Sequence, residues 1–114
     1  MQIRKNKFHS YIRDEEPEKF NKEIEELDGP VDLEGCDLSN LDLRGFNLRT
    51  ANLKNSYLKH ADLRGVDLSE AQMEGASINQ ARISGAYFPR NIPAREIQLS
   101  VEHGTRLRCM KKSD

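Results

Sequence analysis

Tryptophan is absent from the 114 residues, and phenylalanine and tyrosine together make up only 6% of them. A core packed around large rings is therefore excluded, and a repetitive core of small aliphatic pieces fits the composition better. Cysteine is scarce as well. Cys36 and Cys109 are the only two, too few and too far apart for a disulfide framework or a zinc site, which points to a reducing compartment and a cytoplasmic protein. No run approaches the ~18 apolar residues of a membrane span. The N-terminal MQIRKNKFHSYIR is basic but lacks the apolar stretch of a secretory leader. Neither sign of charge dominates: 18 Lys and Arg face 19 Asp and Glu, a net charge of −1. That balance argues against a general nucleic-acid binder and against a strongly acidic surface.

Locally the charge is less even. Residues 1–13 carry four basic groups and no acid, and residues 14–28 carry eight acids against two lysines. Residues 31–90 hold eight acids and seven bases, and the tail from Asn91 holds five bases and three acids. These shifts divide the chain into a basic arm with an acidic segment (1–30), a balanced middle (31–90) and a basic tail (91–114), within one domain.

The middle is built on a period of five. Its centres are Leu33, Leu38, Leu43, Leu48, Leu53, Leu58, Leu63, Leu68, Met73, Ile78, Ile83 and Phe88. A small or apolar residue stands two places before most of them, from Val31 and Cys36 to Ala81 and Ala86. Asp or Asn usually lies between, and two mostly polar residues follow, with Gly at 35, 45, 65, 75 and 85. Neither a helix nor a long strand has this period. Each pentad reads as a very short strand, inward, outward, inward, and then a turn. A chain that turns every fifth residue while burying the same two positions must coil around an axis, so the expected fold is a β solenoid.

The segments ANLKN (51–55), ADLRG (61–65) and VDLSE (66–70) closely resemble the A(D/N)LXX motif of the pentapeptide-repeat family. Twelve unbroken pentads, 60 of 114 residues, carry the resemblance. It implies a right-handed quadrilateral parallel β-helix with four pentads per coil. Twelve pentads then make about three coils, and residue j stacks on j+20. The tail is also similar to the C-terminal segment of some short cyanobacterial members.

Coil ends expose an apolar bore and unpaired edges, so short helical caps are expected at both. In DEEPEKFNKEIEELDGP, Pro17 suits a first turn and Phe20, Ile24 and Leu27 share one face before Gly29-Pro30 stops the helix. Val31, Cys36, Leu41 and Phe46 add bulk where the first coil must meet this cap. In the tail, Pro93 can start a helix, Ile97 and Val101 share a face, and Gly104 can end it.

The chain shows no enzyme constellation, metal spacing or phosphate loop, and no cofactor is expected. His9, His60 and His103 lie far apart. Cys36 reads as an interior filler, and Cys109 as an incidental thiol in the tail. Asp42 and Asp62 stack on one side with Arg44 and Arg64, whose charges neutralise them. Arg44, Arg49, Lys54, Lys59 and Arg64 form a belt around the coil, not the continuous face that nucleic acid requires. Tyr57 and Tyr87 replace Asp or Asn at outward positions and, with Arg44 and Arg64, are candidate contacts for a protein partner. The expected function is a rigid interaction module or scaffold, monomeric or weakly dimeric, for an unidentified protein partner. The resemblance supplies one alternative, since some longer members mimic DNA and inhibit topoisomerases.

Overall fold

The computed structural model describes residues 6–110; the ends of the basic arm and of the basic tail, 1–5 and 111–114, lie outside them. Its order is two short helices, the run of pentads, and a third helix: α1 (Lys7–Arg13), α2 (Pro17–Glu25) and α3 (Ala94–His103).

Most pentads turn by the same local device. The Asp or Asn before the centre accepts a hydrogen bond from the amide two residues on, as in Asp32 Oδ1 to Glu34 N (3.1 Å), Asn52 Oδ1 to Lys54 N (3.1 Å) and Asp67 Oδ1 to Ser69 N (2.9 Å). The centre's carbonyl then accepts from the amide three residues later, as Leu53 does from Ser56 (3.1 Å). In most of them the second residue after the centre takes a left-handed backbone: Gly35 at φ 71°, Asn40 at 64°, Asn55 at 59°. The recurring Asp/Asn and Gly are thus the chemistry of one turn, repeated.

Residues twenty apart pair in parallel, from Asp32 with Asn52 to Asp67 with Tyr87, though Asn47 and Asp67 form no bridge with each other. Four pentads therefore complete one circuit, and successive circuits are joined by amide–carbonyl bonds such as Leu38 to Tyr57 (2.7 Å) and Tyr57 to Cys36 (2.9 Å). The bridges are isolated, where three-residue strands were expected. A chain that turns every five residues leaves one residue per side with both partners in register. We number the sides by their pentads: first (31–35, 51–55, 71–75), second (36–40, 56–60, 76–80), third (41–45, 61–65, 81–85) and fourth (46–50, 66–70, 86–90).

The interior holds the centres from Leu33 to Ile78, each at most 1% exposed. Ile83 and Phe88 were expected there too, but both are only half-buried. They end the third and fourth sides, where no backbone after Arg90 pairs with theirs among the described residues. Leu41, also inward by pattern, is half-buried.

The N-terminal cap has two helices, where an arm and one helix were expected. α1 begins at Asn6, whose side chain accepts from His9 N (2.9 Å), and it buries Phe8 and Ile12. The rings of Phe8 and Phe20 meet edge-on at 5.6 Å, and those of Phe20 and Phe46 at 5.2 Å. This aromatic line runs from α1 through α2 into the first coil, and it accounts for the bulk at Phe46. Ile24 packs on the core at its rim. Leu27 does not join the cap: α2 stops at Glu25, the helical phase is lost, and Leu27 is 38% exposed.

Polar side chains at this end stand in for the missing preceding coil. Asn6 Nδ2 donates to Asp32 O (2.9 Å) and His9 Nε2 lies 2.8 Å from Asp37 O. Asn21 donates to Gly45 O (2.9 Å) and accepts from Asn47 N (2.7 Å). Backbone groups that would otherwise form a bare edge are thereby paired.

Candidate interaction surface

At the C-terminal end the returning chain pairs its backbone with two sides only, among the described residues. α3 leaves Pro93 and ends at Gly104 in the left-handed region (φ 73°), which returns the chain over the first and second sides. There Gly75 N donates to Leu107 O (2.8 Å), Leu107 N to Ala76 O (2.8 Å), and Gln80 N to Val101 O (2.9 Å). Buried Ser100 accepts from Ile78 N (3.0 Å) and donates to Thr105 O (2.6 Å). Ile97 and Val101 pack on the core, and Leu107 is buried outright.

An ion pair fastens this return. Arg108 meets Glu96 with two side-chain bonds (3.1 and 2.7 Å), and its amide adds a third (3.2 Å). Those bonds hold the Glu96 carboxyl below the ordinary carboxylate range. Beside it lies a cleft of about 330 Å³, lined in part by Lys54, Met73, Cys109 and Met110. Burial, helped by the charge of Glu74, pushes the Cys109 thiol up, so the reactive thiolate is disfavoured.

The third side carries a charge ladder. Arg44 bonds Asp42 (2.9 Å) and also reaches Asp62 in the next coil (3.2 Å), while Arg64 bonds Asp62 (2.7 Å). The hydrogen bonds from Arg64, with the charge of Arg44, hold the Asp62 carboxyl well below its usual range; Arg44 does the same for Asp42. Both candidate arginines are thus engaged with acids of their own chain. The ladder then runs out: Arg82, bridged to Asp62 through the backbone, makes no ion pair among the described residues. On the fourth side Arg49 pairs with Glu70 and lies 3.9 Å from Asp67.

The two tyrosines differ in their settings. Tyr57 lies mid-stack, half-buried, bridged to Asp37 below and Ser77 above. Tyr87 lies on the last coil at 66% exposure, bridged only to Asp67. Around it the amides of Ile83, Gly85 and Phe88 and the carbonyls of Ala81 and Ala86 have no partner among the described residues. Half-buried Ile83 and Phe88 face the same opening. The sequence pattern marks these as ordinary interior positions, so nothing local reveals the opening.

His9 is buried against the first coil, whereas His60 and His103 are exposed. Among the described residues no three His, Cys, Asp or Glu side chains gather into a metal-binding group, and no helix is long and apolar enough to cross a membrane. Compared with known families, the chain matches the model for pentapeptide repeats in eight copies, over residues 32–69 and 51–89. No curated protein matches it.

Proposed function

This chain belongs to the pentapeptide-repeat family, and from that premise we propose that it is a protein-interaction module or scaffold. The family is generally non-enzymatic, and its repeats generally form a right-handed quadrilateral β-helix. We carry that handedness and shape over to residues 31–90, with residues 1–30 and 91–114 as its caps and tails. The observation that carries the functional reading is the half-open C-terminal end. There Tyr87 is exposed, Ile83 and Phe88 are only half-buried, and the amides of Ile83, Gly85 and Phe88 have no partner among the described residues. Exposed aromatics on a rigid base are what partner surfaces are made of.

Mimicry of DNA finds less support. A phosphate-like surface needs unpaired acids in rows, and on the third side Asp42 and Asp62 are bonded to arginines. Affinity capture with the full chain from its native cells tests both readings. One stoichiometric protein partner supports the module, recovery of topoisomerase subunits would favour mimicry, and the absence of any stoichiometric partner would overturn the proposal.

A further inference from the structure

We propose that the uncovered edge from Ala81 to Phe88 receives an extended segment of a partner protein, two pentads in length, with apolar residues five apart and an acid in front of the first. The inference rests on the interaction-module reading and names the surface and the chemistry of its partner.

The chain's own tail shows what such an occupant must supply. On the first and second sides, backbone from Val101 to Leu107 pairs with Gly75, Ala76 and Gln80, and Leu107 closes the bore. On the third and fourth sides the equivalent groups are the amides of Ile83, Gly85 and Phe88 and the carbonyls of Ala81 and Ala86, all without partners among the described residues. A strand edge of this kind is a template for main-chain pairing with another chain. Ile83 and Phe88, half-buried below it, offer two apolar contacts five residues apart.

The charge pattern selects the side chains. On the third side each acid is met by arginine from its own or the preceding coil, as Asp62 is by Arg64 at 2.7 Å and by Arg44 at 3.2 Å. Arg82 occupies the last outward position of that ladder without an acid. An acidic residue in the occupant's outward position would give Arg82 the partner that Arg44 and Arg64 find in Asp42 and Asp62. The same feature disfavours a second copy meeting this edge with its own. Residues 81–90 contain Arg82 and Arg90 and no acid, so isologous pairing would gather like charges. The acids of another copy's α2 are on a helix, which offers no edge to pair.

A free peptide of residues 61–70, ADLRGVDLSE, is a suitable probe. It has Asp62 before Leu63, and Leu68 five residues on; within the stack these residues already run in register with Arg82 and Tyr87. Titrated to millimolar concentration into isotope-labelled full chain, it should shift the Ile83, Gly85 and Phe88 amide resonances and leave the second side unmoved. Arg82→Glu should weaken binding about fivefold, the upper range for an exposed ion pair, and a peptide carrying Asp62→Arg should restore it. Absence of shifts at those amides, equal binding by the Arg82→Glu protein, or a peptide-free dimer formed through this edge would each overturn the proposal. The broader reading fails separately. A captured cellular partner indifferent to Arg82→Glu and Tyr87→Ala would discard this edge while keeping the module. Peptide binding without any cellular partner would keep the edge and discard the module.

Discussion

Replacing Leu58 by alanine probes the middle of the stack, and replacing Ile83 probes its open end. Leu58 is fully buried, with Leu38 and Ile78, also fully buried, at the matching positions of the coils on either side. Its amide donates to Ser77 O at 2.8 Å, and Tyr57 beside it is bridged to both adjacent coils. Removing three carbons forfeits about 2.4 kcal/mol at ~0.8 kcal/mol per buried CH₂. The inter-coil bonds hold the neighbours at fixed spacing, so the site cannot collapse, and the remaining cavity raises the cost to about 3–4 kcal/mol. Ile83, in the last coil, is only half-buried. It loses about half the transfer energy and leaves no closed cavity, roughly 1 kcal/mol. At about 4–8 °C per kcal/mol for a chain of this size, Leu58→Ala should melt at least 12 °C or so below wild type, and Ile83→Ala within about 8 °C. Urea titrations followed by circular dichroism, fitted with a common slope, measure both. Equal losses for the two variants would refute the half-open end, because Ile83 would then have to be covered like Leu58.

The tail should act as a lid. Removing everything after Arg90 bares Met73 and Ile78 and frees the amides of Gly75 and Gln80, so light scattering should show association; an unaltered mass and melt would show that the tail seals nothing. Glu96 gives that lid a pH dependence. Arg108 lowers its folded pKa below the ordinary 4.5, so its contribution is complete above the unfolded value and is lost as pH falls through the folded one. The melting gap between wild type and Glu96→Gln should therefore be full near about pH 6 and narrow towards about pH 3; a constant gap contradicts the pairing. Gly75→Ala should cost more than Gly35→Ala. Both incur roughly 1–2 kcal/mol for a left-handed backbone, but at Gly75 the new methyl would lie 2.1 Å from Asn55 Oδ1, whereas nothing lies within 4 Å at Gly35. Equal melts would mean that Asn55 moves aside freely.

The five-residue period was legible because everything that makes it is local. The Asp or Asn bonds an amide two residues away, the centre's carbonyl bonds one three residues away, and the left-handed residue relaxes the turn. A run of such units writes its turns and most of its interior into the sequence, from Leu33 to Ile78. A helix near Ala94–His103 was readable for the same reason, from Pro93 and Gly104 at its limits. The ends were not local. Whether Ile83 and Phe88 are covered depends on where the chain goes after Pro89, and it returns over Met73 and Ile78. Whether Leu27 reaches the cap depends on α2 ending at Glu25, two residues short of the phase its spacing suggested. α1 gains its place by burying Phe8 and Ile12 against α2 and the first coil. The groups that close the edges, Asn6, His9, Asn21 and Ser100, are single polar residues whose partners lie 22 to 28 positions away. A periodic pattern determines what each unit buries against its own neighbours; only the folded chain decides which of the last units has a neighbour at all.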